Sequence, residues 1–467
     1  MSPSSAADPA SSAVNFSQAV REGPFSARQA LVILALSLLI LFDGMDTQML
    51  GVVAHDLTRD LALPISSFGL VFSSGLLGAV IGALALSPLA DKVLGRKATA
   101  VWSMAAASLA TIATPLAPNL AVLLAVRIVA GIGLGAALPS IFTLVSEFSP
   151  QRYARGITSS LVAFMPLGSF LGGVIGRVVV PDHGWQMLLY IGGGLTLAFT
   201  LFAAWVLPES VYFLLRIRHD AHRAALAARK LLPNLPAGPV TVEGADDGAN
   251  RKQPVARLFA KGFVKFTLLI WLAYIMNQGI LYFVLSWTPA LLQKSGMATT
   301  AGMDAAAMFG IGGALGTAVQ GWLAMRFNLY RVMLAEMALY IAAILALPLL
   351  LGNPVLAPAM VFFIAFGICA YQAGFILIVV EAHPNEIRTT GFGWALGIGR
   401  IGATGAPLLA GALVAAGWSP GQIFAAATIP GVVSALALVA ISLLLGNGAR
   451  AGQPGDASSR PAETQPA

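Results

Sequence analysis

Charge, cysteine and histidine are all scarce in this chain, and each scarcity removes a class of function. Only 10% of the 467 residues are charged while 57% are hydrophobic, and the mean hydropathy is +0.81, a balance no soluble globular domain shows. What is left is a polytopic membrane protein. The single cysteine, Cys369, excludes an intrachain disulfide and a thiolate metal cluster. The histidines, His55, His183, His219, His222 and His383, fall in loops or at span ends, away from any nucleophile or metal-ligand constellation. Neither an enzyme nor a bound cofactor or metal is therefore expected. Residues 1–27 are Ser/Ala-rich and lack the basic region and small-residue cleavage site of a secretory signal. The net charge of +7 does not point to nucleic acid, because membrane proteins gather basic residues on one side for another reason.

What the chain does have is apolar length. Hydropathy marks twelve spans, near 30–51, 66–88, 98–116, 119–142, 157–180, 185–207, 263–287, 303–325, 330–351, 355–381, 390–415 and 420–446. Arg21, Arg28, Lys92, Arg96, Lys97, Arg152, Arg155, Arg326, Arg331, Arg388 and Arg450 fall at one surface, and only Arg59 and Lys294 at the other. Positive loops stay inside, so both termini are expected in the cytoplasm and the protein in a cell inner membrane. The expected layout is a disordered tail over 1–29, a six-helix half over 30–207, a cytoplasmic linker over 208–262, a second six-helix half over 263–446 and a disordered tail over 447–467. The halves repeat each other in register: Gly78 and Gly82 fall on Gly312 and Gly316, Lys97 on Arg331, Glu147 on Glu381, and Asp43 on Asn277. The fold class is an all-α membrane protein, twelve helices in two parallel-repeat halves.

Charged residues at membrane depth are costly and are usually kept for an ion or substrate path. Asp43 and Asp46 lie three residues apart in the first span and so share a helix face. Burial and mutual repulsion both disfavour having two ionised acids there, which suits a site that takes up and gives back protons. Depth counting puts Asp43 level with Arg127 of the fourth span, and the two are expected to pair. Arg400 lies near the middle of the eleventh span. An arginine offers a carboxylate two parallel hydrogen bonds and keeps its charge, so Arg127 and Arg400 are expected to hold an organic anion. Asn277, Gln278, Tyr371 and Gln372 add amides and an aromatic face for the same ligand. The competing reading is an ion pair that only fixes helix packing. Arg177 and Glu336 are expected to snorkel from span ends. At the basic surface, Asp91, Arg96, Lys97, Glu147, Arg152, Glu381 and Arg388 are expected to form a gate whose ion pairs part between states.

Several motifs carry a resemblance. The twelve-span layout, Leu89-Ala90-Asp91-Lys92 before Gly95-Arg96-Lys97, Arg127 with its glycines, and Pro208-Glu209-Ser210 after the sixth span resemble the major facilitator superfamily. Asp43-Gly44-Met45-Asp46 is similar to the D-G-x-D signature of its aromatic acid:proton symporter family, as is Gly399-Arg400-Ile401-Gly402 with Gly405-Ala406-Pro407. The resemblance implies proton-coupled import of a small aromatic carboxylate, such as a benzoate, hydroxybenzoate or phenylpropionate, by a monomer using alternating access. Asp43, Asp46, Arg127 and Arg400 match that family's functional positions. The chain departs from the superfamily pattern at Ser87-Pro88, at the extra residue in Val93-Leu94, and at Met325, where the repeat would place an acid. A carrier of another organic acid and a drug/proton exporter on the same fold are the rival functions. Pro166 without a Gly-Pro pair in the fifth span weighs against the exporter.

Overall fold

The computed structural model describes residues 14–236, 238–242, 258–259, 264–382 and 385–451. The chain opens with a two-residue strand β1 (Val14–Asn15) and helix α1 (Phe16–Glu22), then enters the first long helix, α2 (Ala27–Asp60). α3 (Phe68–Ile81), a π-turn over Gly82–Leu86, the short α4 (Ser87–Leu89) and a second π-turn over Ala90–Leu94 make the next crossing. α5 (Arg96–Ala113), α6 (Leu120–Phe148) and α7 (Gln151–Val206) complete the first half. α8 (Val211–Arg216), α9 (Ala221–Leu231) and β2 (Val240–Thr241) belong to the linker. The second half holds α10 (Val264–Lys294), α11 (Thr299–Arg326), α12 (Leu329–Ala346), α13 (Leu356–Ala382), α14 (Asn385–Ala415), α15 (Pro420–Ala426) and α16 (Thr428–Ala451).

Eleven stretches of the described residues are long and apolar enough to cross a bilayer, and one of them counts twice. α7 turns back on itself at Gly184, whose φ of 78° lies in the left-handed region that favours glycine. Trp185 Nε1 and Gln186 Nε2 both donate to Asp60 Oδ2, at 2.8 and 3.3 Å, and hold the corner against the end of α2. Twelve crossings result, in two halves of six.

The repeat seen in the sequence is a repeat of packing. Gly78 and Gly82 lie against the backbone carbonyls of Ile128 and Ile132 on α6, and Gly312 and Gly316 lie the same way against Phe362 and Phe366 on α13. Each pair of glycines lets two helix backbones approach where a Cβ would clash. The close contacts that join the two halves gather between mid-depth and the face opposite the termini, the far face. Gln48 Nε2 donates to the Leu285 carbonyl at 3.3 Å, the Ser73 hydroxyl donates to the Thr404 carbonyl at 2.8 Å, and Phe68 meets Trp287 edge-on at 5.7 Å. Nearer the termini, a Cβ at Gly156, Gly393 or Gly397 would meet nothing within 4 Å. Among the described residues the seam between the halves is closed from mid-depth to the far face.

The expectation of a structureless tail through residue 29 stops short of this. Phe16 and Val20, one turn apart on α1, are buried with Ala224, Ala227, Ala228 and Leu231 of α9, and Val14 pairs with Val240 across a small parallel ladder. Asn15 caps α1 and Ser26 caps α2 in a reciprocal box with Gln29, so the chain is already committed to helix before residue 30. At the other end α16 continues to Ala451; residues 1–13 and 452–467 lie outside the described residues.

Candidate functional site

Asp43 and Asp46 of α2 are both buried, and the two halves supply one arginine to each. Asp46 accepts a short hydrogen bond at Oδ1 from the Thr111 hydroxyl of α5, and its Oδ2 lies 3.6 Å from Arg127 Nη1 of α6. Arg127 is 2% exposed, and its Nη2 donates to Thr114 Oγ1 at 2.6 Å and to Thr111 Oγ1 at 3.3 Å. Asp43, 4% exposed, stands within electrostatic range of Asp46 and of Arg400 on α14, and its Oδ2 has no partner among the described residues. Arg400 reaches the Tyr282 hydroxyl of α10 and is itself only partly buried. A charged line therefore runs Arg127, Asp46, Asp43, Arg400, from the core of one half to the inner wall of the other.

This corrects the expected partner of Arg127, which is Asp46 and not Asp43. The reason is geometric. Asp46 sits three residues, ~4.5 Å, nearer the far face than Asp43, toward the end at which α6 begins and carries Arg127. Thr111 and Thr114 were not legible as site residues: in an alanine-rich span a threonine reads as a hydroxyl bonded to its own helix.

The neighbouring polar residues of the second half divide by helix face. Asn277 Nδ2 makes a short bond to Gln372 Oε1, and Gln372 Nε2 donates to the Tyr274 hydroxyl at 2.7 Å. Asn277 Oδ1 and Gln278 Oε1 have no hydrogen-bond partner among the described residues. Gln278 follows Asn277 by about 100° of turn and packs instead on α14 beside Gly399. The same offset turns Tyr371 away from Gln372. Its hydroxyl meets the Ser434 carbonyl and hydroxyl at 3.1 and 2.9 Å, tying α13 to α16, so it is a packing residue and not the ligand-facing aromatic expected.

At the termini face Asp91, Arg96 and Glu147 form one network between the first half and the start of the linker. Arg96 donates from Nε to Asp91 Oδ1 at 3.0 Å and from Nη1 to Glu147 Oε2 at 3.1 Å. Glu147 also accepts from the Ser210 hydroxyl at 2.6 Å and the Tyr212 N–H at 3.1 Å. Glu209, outside the expected set, accepts from the backbone N–H of Lys97 at 2.8 Å and so places an anion on the N-terminus of α5. Arg152, expected beside Glu147, stands instead over the ring of Tyr153 at 5.5 Å, because Arg96 already occupies that carboxylate. The extra residue before Gly95 is absorbed by the π-turn Ala90–Leu94, the helical form that holds one residue more than an α-turn. Side chains of Glu381 and Arg388 lie outside the described residues. Two further residues depart from their expected snorkelling. Arg177 on α7 pairs with Asp304 on α11 across the halves, and Glu336 is buried.

Comparison with known proteins fits this geometry. The Major Facilitator Superfamily model matches residues 36–406. The gallate transporter of Pseudomonas putida is 34% identical over 417 residues, covering 89% of this chain and 92% of that protein. The 4-hydroxybenzoate transporter of Pseudomonas aeruginosa is 31% identical, covering 89% and 93%. The 3-(3-hydroxy-phenyl)propionate transporter of Escherichia coli is 30% identical, covering 88% and 93%. Among solved structures, a D-xylose-proton symporter superposes with a TM-score of 0.67 at 16% identity, covering 88% of this chain and 96% of that one, a likeness of fold. The chain is a membrane transporter and belongs to the major facilitator superfamily, beside these carriers of aromatic acids.

Proposed function

We propose that this protein imports a small aromatic carboxylate together with protons, by alternating access, across the inner membrane of a bacterium. In this reading it works as a monomer with both termini in the cytoplasm, and the seam closed at the far face belongs to its cytoplasm-open state. The names of its relatives support the substrate class. The observation that carries the mechanism is the line of two acids flanked by two arginines, one arginine in each half.

The arginines divide the work. Arg127 is sealed and held through its two terminal nitrogens by Asp46, Thr111 and Thr114, so it keeps Asp46 in place. Arg400 is the partly exposed one, and its planar fork is the group offered to a substrate carboxylate, with Tyr282 beside it for the ring. When the substrate takes Arg400, Asp43 loses its favourable charge and is better off holding a proton. Anion and proton are thus bound together. The proton also offsets the cost of bringing an anion into a negative cell, roughly 2.3 kcal/mol per charge per 100 mV. Asn277, Gln278 and Gln372 line the second-half wall for the substrate's polar substituents. Asp91, Arg96, Lys97, Glu147, Arg152, Glu381 and Arg388 form the cytoplasmic gate, with the Arg96 network joining the first half to the linker in this state.

The test is uptake of labelled gallate, 4-hydroxybenzoate, a phenylpropionate and an aliphatic monocarboxylate into proteoliposomes with an inward proton gradient. Aromatic acids should accumulate at least tenfold over the aliphatic one in the parent, and Arg400→Ala should abolish the difference. Equal uptake of all four, or an Arg400→Ala variant that transports as the parent does, overturns the reading.

A further inference from the structure

A second buried acid lies in the C-terminal half, apart from the line of acids and arginines. Glu336 on α12 is 4% exposed, and neither of its carboxyl oxygens has a hydrogen-bond partner among the described residues. Gln320 on α11 is 1% exposed, and its amide oxygen and nitrogen are likewise unpartnered. The two share a depth. Gln320 precedes the end of α11 at Arg326 and Glu336 follows the start of α12 at Leu329, each by about 9–11 Å of helix. Both pack on α13, where two glycines make room. Gly367 lies against the Glu336 backbone, and Gly374 lies against the Gln320 amide and Met333, which shares a helix face with Glu336.

No lysine, arginine or histidine among the described residues acts on this carboxyl. The titratable group facing it from α13 is Tyr371, whose hydroxyl is taken by Ser434 of α16. Tyr340, one turn along α12, donates its hydroxyl to the Ala427 carbonyl. α11 offers only the neutral Gln320. An ion without a counter-charge is poorly tolerated at membrane depth, whereas a carboxylic acid brings an O–H donor that a neighbouring amide can accept.

We propose that Glu336 is a second proton-binding site, which takes up and releases a proton during the transport cycle, and that the Gln320 amide, not bonded to it in this state, meets the carboxylate when it ionises. On release the carboxyl O–H bond breaks, the proton passes to water on the cytoplasmic side, and the carboxylate left behind accepts from the Gln320 amide N–H. The inference rests on the transport reading only for its consequence. One proton with one monocarboxylate moves no net charge, but a second proton makes each cycle carry one positive charge inward, so that the membrane potential drives uptake too.

The test uses the full chain in proteoliposomes, with 4-hydroxybenzoate as probe. Infrared difference spectra between acid and alkaline pH should show a protonated carboxyl in the parent that Glu336→Gln lacks. At a fixed pH gradient, an inside-negative potential should speed uptake several-fold in the parent and in Glu336→Asp. It should leave Glu336→Gln, which keeps the shape of the protonated acid, unchanged. A parent without that titrating carboxyl, or a Glu336→Gln variant with full response to potential, overturns the proposal. A parent that takes up no probe refutes the substrate reading, and the infrared titration then decides Glu336 by itself.

Discussion

The two halves share a scaffold and differ in where they keep their charge. In the repeat register Asp46 and Arg127 of the first half fall on Ile280 and Val361 of the second, each 1% exposed. Asp43 falls on Asn277, while Arg400 falls on Pro166. Gly78 and Gly82 are matched contact for contact by Gly312 and Gly316, so the scaffold tolerates either an ion pair or two aliphatic side chains at the same place. Replacing a buried ion pair by well-packed apolar residues is often neutral or stabilising. Retaining the charges in one half only therefore points away from packing and toward transport.

Breaking the pair one-sidedly should give the largest effect. Arg127→Val leaves Asp46 buried without its cation and should cost about 3–5 kcal/mol, seen as a lower melting temperature in detergent and loss of transport. Adding Asp46→Ile, which copies the second half's own solution, should recover most of the stability and none of the transport. Full transport by that double variant would mean the ion pair is only structural.

Giving the first half the residue its copy has, Asp43→Asn, should leave the melting temperature near the parent's and reduce gradient-driven uptake by at least tenfold. Substrate exchange without a proton gradient should persist, since the arginines remain. In the amide network, Gln372→Leu removes its bonds to Asn277 and Tyr274 and should weaken substrate binding by about 1 kcal/mol, near fivefold, read by calorimetry. The smallest effect belongs to the far-face pair. Arg177 is largely exposed, so Asp304→Asn should shift stability by less than about 1 kcal/mol, while raising labelling of a cysteine placed at the far-face seam.

The sequence carried the fold well, because a run of some twenty apolar residues has few alternatives in a bilayer and glycines at repeat spacing report close helix approach. It also carried Asp43, Asp46, Arg127 and Arg400, since an ionisable residue inside such a run stands out. Partners were harder. Which acid meets Arg127 turns on a single turn of α2, finer than counting depth from span ends resolves. Tyr371 and Gln372 were grouped because they are adjacent, although adjacent helical residues face different neighbours. Glu336 was placed at a span end where it would snorkel, and only the packing of α11, α12 and α13 shows it enclosed. Glu209 stood in a motif with no visible task until the start of α5 was found against it.

One measurement tests the central claim most directly: the pH of the outer medium of lightly buffered proteoliposomes when an aromatic carboxylate is added. The parent should turn that medium alkaline as substrate enters, and Asp43→Asn should not. Substrate entry without alkalinisation in the parent, or the same alkalinisation in the variant, would contradict proton coupling through the acids of α2.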